Sequence, residues 1–280
     1  VNIALPTAVA TAYVAIKHIF PDLPANAGVM RPIKVKVPEG SLLSAEFPAP
    51  VGGYTETILR MIDVIFSATA KAAPDRVVAN AYGTINALSI AGKKKNGQRW
   101  VMFSFYGGGH GGSAESDGLN HGNAPISTAT IPPMEILEAA YPVMFRQWAL
   151  RPDSAGAGAQ RGGLGAVYEI ELLEEQAEAF LFGERGRFPP EGVAGGKSAA
   201  MNVFAFEQED GWKHPPLASK MLGIKLKKGQ AVRLETPGGG GYGQPSERDP
   251  AAVAHDVSEG YLTEDAATES YGPAWKDTQT

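Results

Sequence analysis

Cysteine is absent from the 280-residue sequence. Its absence excludes disulfide bonds, thiolate metal ligands and a cysteine nucleophile. Long apolar runs are missing as well, because no stretch reaches the roughly 18 residues that a membrane-spanning helix needs. Residues 1–19 also lack the basic start and the small-residue cleavage site of a secretory signal. We therefore expect a cytoplasmic protein without a membrane segment.

An excess of positive charge is missing too. The 25 Lys and Arg residues face 30 Asp and Glu residues, which gives a formal net charge of -5. The one basic run lies at 93–95, so nucleic acid is a disfavoured partner. With 44% hydrophobic residues, the composition is that of a globular protein with one large domain or two small ones.

The sequence begins with Val1 and enters an apolar, helix-like stretch almost at once. Valine carries no nucleophile, so self-processing to an amino-terminal Thr, Ser or Cys does not explain this start. Trimming, a split polypeptide and an incomplete amino terminus are each compatible with it. We expect the chain to be part of something longer.

Hydrophobic periodicity predicts an α+β fold. Apolar residues at helical spacing predict helices at 6–18, 55–73, 134–140 and 250–271. Strand-like runs lie at 33–37, 87–90, 100–106, 165–173, 177–183, 202–207 and 231–235. The sequence thus divides into a mixed α/β part at 1–142, with a glycine-rich loop, and a mainly β module at 143–280 with carboxy-terminal helices.

Two glycine-rich turns, at 107–112 and 238–243, each follow a predicted strand. Glycine at this density indicates positive φ angles or close backbone approach. Both turns match the spacing of the dinucleotide-binding fingerprint, but neither is followed by the required helix within a βαβ unit. Such turns can bind a ligand, contact another subunit or turn a tight corner. Near Lys197 a second phosphate-binding pattern fails, because Glu191 replaces its first glycine, so we expect no nucleotide site in this chain.

Side chains with metal or acid–base chemistry are few. His110, Asp117 and His121 could form a nitrogen/oxygen metal site, or their hydrogen bonds could simply shape the loop. Asp117 and Glu135 are the candidate catalytic carboxylates, although Glu135 could instead favour the helix dipole. Arg185 and Arg187 suit carboxylate or phosphate recognition, or an inter-strand salt bridge.

The order of the motifs resembles that of the hydantoinase B/oxoprolinase family. This family includes the B-type subunits of N-methylhydantoinase, 5-oxoprolinase and acetone or acetophenone carboxylase. The resemblance covers nearly the whole chain but only the family's carboxy-terminal part. It is carried by the motifs at 26–28, 31–33, 38–43, 52–53, 107–112, 117–118, 135–142, 150–163, 184–190, 235–249 and 260–261.

The resemblance implies that a partner A-type subunit binds ATP and phosphorylates the substrate. The B-type subunit then completes hydrolysis of a cyclic amide such as a hydantoin, 5-oxoproline or a lactam. In the carboxylase branch it completes carbon–carbon bond formation instead. A divalent metal, where one is used, would be held mainly by the missing amino-terminal half. The implied partners are therefore the A-type subunit, that missing half and a small-molecule substrate.

Three hypotheses follow for this chain. It is part of a cyclic-amide hydrolase, part of a ketone carboxylase, or a structural half whose glycine turns contact a partner. In the first two, backbone amides of the turns could bind anionic oxygens of the activated substrate. The candidate anion-binding residues are Gly107, Gly108, Gly109, Gly111, Gly112, Gly238, Gly239, Gly240 and Gly241.

Overall fold

Two antiparallel sheets form the body of the protein. A computed structural model describes residues 1–83, 85–123 and 132–278, and these contain nine strands. In chain order they are β1 Asn86–Lys93, β2 Arg99–Tyr106, β3 Val143–Leu150, β4 Ala166–Leu172, β5 Gln176–Phe182, β6 Val203–Gln208, β7 Gly211–Lys213, β8 Lys220–Lys227 and β9 Ala231–Glu235. The four-stranded sheet has the order β2-β1-β5-β8, and the five-stranded sheet has the order β3-β4-β9-β6-β7.

Alternation along the strands places the core between the sheets. In β2 every second residue is buried, including Trp100 and Met102, as expected for side chains that alternate between two faces. Leu88 of β1 lies opposite Leu181 of β5. Together with Tyr168 of the other sheet, these residues belong to one buried cluster. Burial of each large apolar side chain contributes about 1.5–3 kcal/mol.

Six α-helices lie in the described residues, most of them near the ends of the chain. They are α1 Leu5–Ile19, α2 Ala27–Met30, α3 Tyr54–Thr69, α4 Met134–Ala140, α5 Pro250–Ser258 and α6 Glu264–Tyr271. Ala15 and Ile19 of α1 share a buried cluster with Ile62 and Phe66 of α3. This contact buries the apolar stripe that predicted α3. None of the described helices is both long and apolar enough to cross a membrane.

The predicted α+β class is confirmed, and most predicted strands form. The hairpin of β1 and β2 and the strand 231–235 occur at the expected places. Residues 33–37 form no strand, so that prediction was wrong. The predicted helix at 250–271 is broken into α5 and α6, with Gly260 between them at a φ of +71°. Gly260 suits this break because the left-handed region favours glycine.

The predicted division at 142/143 does not coincide with a boundary between the sheets. Strands β1 and β2 come from the segment 1–142, whereas β5 and β8 of the same sheet come from 143–280. The hydrogen bonds between β1 and β5 therefore join the two segments. Sequence pattern could not show this pairing, because the strands are separated by more than 80 residues.

Candidate functional site

The two glycine-rich turns meet in a layer built from backbone. We call it the glycine layer and define it as residues 79–82, 107–112, 117–122, 154–165, 190–199 and 236–243. A Cβ atom at Gly239 would lie 1.8 Å from the His110 carbonyl oxygen, and one at Gly162 would lie 1.7 Å from the Gly239 oxygen. Real atoms never approach so closely. Glycine is required here because the segments pack directly against one another.

The segment 236–243 lies at the centre of this layer. Three successive amides, those of Gly239, Gly240 and Gly241, donate hydrogen bonds to three different neighbouring segments. Their acceptors are the carbonyl oxygens of Gly163, Asn80 and Lys197, each at 2.9 Å. An extended chain whose amides point in three directions has no internal hydrogen bonds, as in a polyproline II helix. The segment is held by its neighbours instead.

This arrangement changes the interpretation of the nine candidate anion-binding glycines. All nine are buried. Six of them, Gly108, Gly109, Gly112, Gly239, Gly240 and Gly241, donate their amide hydrogen to a carbonyl oxygen of this chain. An amide used in this way is not available to an anion. The nine glycines are also buried within this chain, so they do not themselves lie on its surface.

A buried ionic cluster closes one side of the glycine layer. Arg248 contacts both carboxylate oxygens of Asp117 at 2.7 and 2.8 Å and reaches Asp256 at 2.7 Å. Arg161 contacts Asp256 at 3.0 Å, and its backbone amide donates to Asp117 at 2.8 Å. Bidentate arginine–carboxylate pairs of this kind fix geometry. The geometry therefore gives Asp117 a structural role, joining its loop to the start of α5.

On another side of the layer lies a group of rings, which we call the histidine–tyrosine cluster. The hydroxyl of Tyr168 hydrogen-bonds to Nε2 of His121, and Trp148 Nε1 donates to the same nitrogen at 3.4 Å. An indole N–H can only donate, so Nε2 of His121 is an acceptor and the neutral ring carries its proton on Nδ1. Ring contacts join Tyr106, His121, Trp148 and Tyr168. Tyr82 stacks on His110 and lies close enough to Tyr168 to help raise its pKa, so the cluster comprises these six residues.

His110 has the opposite tautomer. Its Nε2 contacts the carbonyl oxygen of Asn123, and a carbonyl only accepts, so Nε2 carries the proton and Nδ1 is left as acceptor. Burial lowers the pKa of His110, although the bond to Asn123 opposes the shift. Burial lowers the pKa of His121 as well. Both imidazoles are therefore neutral near pH 7.

Hydroxyl groups in the same cluster are strongly desolvated. Burial raises the pKa of Tyr168 well above its usual range, and burial likewise raises the pKa of Tyr82. The Tyr82 hydroxyl has no hydrogen-bond partner within the described part of the chain. A buried hydroxyl without a partner is costly, so such a group is a candidate for a ligand contact.

The predicted metal site does not form. Asp117 points to Arg248, whereas His121 points to Tyr168. Within residues 1–83, 85–123 and 132–278, no three His, Asp or Glu side chains are grouped so that they could hold a metal ion. The three predicted ligands lie within twelve positions of sequence, but the ion pairs of Asp117 direct its carboxylate away from the histidines.

The other candidate residues, Glu135, Arg185 and Arg187, lie outside the glycine layer. Glu135 is exposed in the first turn of α4, where a negative charge favours the helix dipole. Arg185 is buried and pairs with Asp63 of α3 at 2.6 Å, which is a contact between a loop and a helix. Arg187 is exposed beside Phe188.

Sequence reasoning missed most partners in these clusters. Tyr168 was assigned only to a strand, and Trp148 lay in a stretch whose structure was not predicted. Arg248 and Asp117 are 131 residues apart. Only the density of glycine at 107–112 and 238–243 signalled that backbone would approach backbone.

Fold and sequence comparisons place the chain among known proteins. The family model described as Hydantoinase B/oxoprolinase matches residues 1–245. The chain therefore belongs to the hydantoinase B/oxoprolinase family.

Two relatives and one solved structure show how far the similarity extends. Caprolactamase subunit beta of Pseudomonas jessenii is 31% identical over 261 residues, covering 89% of this chain and 44% of that protein. The 5-oxoprolinase of Dictyostelium discoideum is 31% identical over 247 residues, covering 87% and 18%. The crystal structure of the ATP-dependent caprolactamase from Pseudomonas jessenii matches with a TM-score of 0.84 at 27% identity, covering 95% and 48%.

The nucleotide-free structure of acetone carboxylase has the same fold, with a TM-score of 0.81 at 21% identity over 97% of this chain and 41% of that chain. The chain spans less than half the length of each of these proteins. The rest of each relative has no counterpart in these 280 residues.

Proposed function

We propose that this chain forms part of the B-type subunit of an ATP-dependent cyclic-amide hydrolase. The partner A-type subunit would bind ATP and phosphorylate the substrate. The structural match to caprolactamase carries the proposal, because it extends over 95% of the chain with a TM-score of 0.84. That relative is named as an ATP-dependent enzyme, and the matching sequence relative is named as its subunit beta.

The substrate class follows from what the named relatives have in common. Caprolactam and 5-oxoproline each contain an amide within a ring, and the relatives that bear their names match this chain at 31% identity. Phosphorylation of the amide oxygen gives an imidate whose carbon water can attack. The tetrahedral adduct breaks its C–N bond as the ring nitrogen takes up a proton, and a second water hydrolyses the resulting acyl phosphate to a carboxylate and inorganic phosphate. The attacking water must then lose a proton to a base.

Within this chain, the histidine–tyrosine cluster is our candidate for that proton transfer. His110 and His121 are both neutral because burial lowers their pKa values, and each has a tautomer fixed by its partners. A neutral imidazole can act as a general base, and the lone pair on Nδ1 of His110 is our candidate proton acceptor. Within the described residues, no three His, Asp or Glu side chains are grouped so that they could hold a metal ion. We therefore assign no metal step to them, and a divalent metal, where one is used, would be held mainly by the half of the B-type subunit that this chain does not supply.

The test is a reconstitution. This chain, the polypeptide that supplies the rest of the B-type subunit, and the A-type subunit are mixed with ATP and caprolactam, hydantoin or 5-oxoproline. Ring-opened product and inorganic phosphate are measured. We expect product formation to require all three polypeptides and ATP.

A second set of reactions with acetone and bicarbonate tests the carboxylase alternative, for which the acetone carboxylase fold is the precedent. Turnover with acetone and bicarbonate, but with none of the cyclic amides, would overturn the hydrolase assignment. Absence of turnover with both sets would refute both activities.

A further inference from the structure

A pocket lined mainly by cationic side chains lies between α3 and two loops. We call it the arginine pocket and define it by Arg60 of α3, residues 183–188 and residues 217–220. Its volume is about 230 Å³. Four of the five charged residues that line it are Arg or Lys, and the fifth is Glu184. None of these residues belongs to the glycine layer or to the histidine–tyrosine cluster.

Two guanidinium groups of this pocket share one carboxylate oxygen. Oδ2 of Asp63 accepts from Nη2 of Arg185 at 2.6 Å and from Nη1 of Arg60 at 3.1 Å. One negative charge therefore faces two positive charges, and like charges close together disfavour each other's charged form. Burial lowers the pKa of Arg185 to about 10, and the charge of Arg60 adds to this shift while nearby carboxylates oppose it. An additional anion beside these groups would favour both charged forms.

Arg187 has no carboxylate partner among the described residues. Its side chain is exposed, and its guanidinium carbon lies 5.7 Å from the ring centroid of Phe188. The fourth cation, Lys220, already contacts Glu184 at 2.5 Å and Glu56 at 3.4 Å. The arginine donors that remain for a ligand are therefore those of Arg187 and the nitrogens of Arg60 other than Nη1.

Arg185 is held in place by backbone groups. Its Nη1 donates to the Pro189 carbonyl oxygen at 3.1 Å, and its Nη2 donates to the Ala81 carbonyl oxygen at 3.2 Å. Its Nε is buried and has no hydrogen-bond partner within the described part of the chain. A buried donor without a partner is costly, so this group is a candidate for a ligand contact.

The backbone is also unusual at two residues that line the pocket. Arg185 has a φ of +61° and Ala218 has a φ of +54°. Residues other than glycine rarely adopt this left-handed region. Strained residues of this kind concentrate at active sites and ligand clamps. Their presence on two facing loops therefore supports a binding site here.

The dimensions of the pocket favour a small ligand. A volume of about 230 Å³ accommodates about seven water molecules at about 30 Å³ each. Pockets for drug-sized ligands are larger, at roughly 300–1,000 Å³. Phe188 and Leu217 also line the pocket, and they are 68% and 73% exposed. The pocket thus offers guanidinium groups to an anion and an apolar edge to an attached organic group.

We propose that the arginine pocket binds the phosphate group of a small ligand, either inorganic phosphate or a phosphate monoester. Arg187 and Arg60 donate to the phosphate oxygens, and Nε of Arg185 supplies a further donor. The planar guanidinium fork matches phosphate geometry, and a phosphate has enough oxygens to meet several forks at once. This site goes beyond the proposed function, because its residues take no part in the proton transfer assigned to the histidine–tyrosine cluster.

Calorimetric titration of the 280-residue chain in a buffer without phosphate tests the ligand class. The probes are inorganic phosphate, phenyl phosphate and benzoate. We expect saturable binding of phosphate, with benzoate weaker than phenyl phosphate by about tenfold or more, since a carboxylate offers fewer oxygens. Tighter binding of phenyl phosphate than of inorganic phosphate would identify a monoester, whereas equal or weaker binding would identify the free ion. Absence of saturable binding of both phosphate probes, or equal affinity for benzoate and phenyl phosphate, would overturn the proposal.

Paired variants assign the binding to the pocket. Arg187→Gln should weaken binding of the tighter phosphate probe by about tenfold or more, because a charge-assisted contact is lost. Arg76→Gln is the matched control, since Arg76 is also exposed and lies 5.3 Å from the ring centroid of Phe20, away from this pocket. Its affinity should equal that of wild type, and circular dichroism should show both variants folded. Equal affinity of the two variants would refute the proposal.

Amide NMR shows where the phosphate binds. Its addition should shift the signals of Gly186 and Ser219, which lie on the two loops of the pocket, and leave that of Gly239 unchanged. Shifts centred on the basic run 93–95 instead would mean that phosphate binds elsewhere, and the pocket would be refuted. These measurements use this chain alone, without ATP or a partner. Their outcome is therefore independent of whether the reconstituted complex hydrolyses cyclic amides.

Discussion

At the residue scale, the glycines of the glycine layer differ sharply from glycines elsewhere in the chain. Gly239 has a carbonyl oxygen 1.8 Å from the place that a Cβ would occupy, whereas Gly52 has nothing within 4 Å. Neither has a positive φ angle. Close packing alone therefore requires glycine at position 239, without the positive φ angle that explains many glycines in turns.

Gly239→Ala should be severely destabilising. The obstructing atoms are backbone, so no flexible side chain can move aside, and we expect a loss of about 3 kcal/mol or more. Gly52→Ala should change the free energy of unfolding by less than about 0.5 kcal/mol. Chemical denaturation of both variants measures the difference. A Gly239→Ala protein as stable as wild type would contradict the backbone packing described for this layer.

The two buried histidines make stability depend on pH in a defined direction. Burial lowers the pKa values of His110 and His121 in the folded state. The unfolded chain therefore binds more protons below about pH 6.5, and stability should fall as the pH drops from 6.5 towards 5.

His121→Asn should reduce that slope, because one of the two titrating groups is gone. Melting temperatures between pH 5 and pH 8 measure it. His255→Asn is a suitable control, since His255 is exposed on α5 and should leave the slope unchanged. An identical pH dependence in His121→Asn and wild type would show that His121 does not titrate as described.

At the scale of elements, the ionic cluster attaches α5 to the glycine layer. Arg248 precedes the helix and Asp256 lies within it, and both face Asp117 or Arg161 of the glycine layer. The side chains of Arg248 and Asp256 are each only 3% exposed. Removing one partner of such a pair leaves the opposite charge buried without compensation.

Arg248→Gln should therefore cost about 3–5 kcal/mol of folding free energy. Arg233→Gln is the matched control, because Arg233 also contacts two carboxylates, those of Glu169 and Glu235, but its side chain is 39% exposed. That variant should lose less than about 1 kcal/mol. Urea denaturation compares the two. Similar losses of folding free energy in the two variants would mean that burial does not determine how much the ionic cluster stabilises the protein.

The elements also show what sequence pattern can predict. Strand β2 was predictable because 100–106 is a run of apolar and aromatic residues, and the structure shows that every second one is buried. Strand β8 was missed, since its lysines and Gly223 interrupt the apolar pattern at a register shift beside β5. The glycine turns were recognised but not their partners, because backbone contacts between distant segments leave no periodic signal.

At the scale of the whole molecule, the two halves of the sequence share one core. Strands β1 and β2 supply Leu88 and Met102, while Leu181 and Tyr168 come from after residue 142. The glycine layer crosses the same division, since Gly109 donates its amide hydrogen to the Pro237 carbonyl. The sequence-based division at 142/143 was placed where the predicted elements change from mixed helices and strands to mainly strands. Such a change does not show which strands pair with one another.

Fragments cut at that division should not fold independently. Fragment 143–280 would leave the edge of β5 unpaired, because β1 bonds to it along Ala87 to Gly92. Fragment 1–142 would keep the β1–β2 hairpin, but an isolated hairpin is marginally stable at best. We expect each fragment to give poorly dispersed amide NMR signals without a cooperative thermal transition, whereas the intact chain gives one. Mixing the fragments should restore part of the dispersion, since the missing neighbours return. A cooperative transition in either fragment alone would show that the halves are separate folding units, and that the sheet shared between them is not required for either.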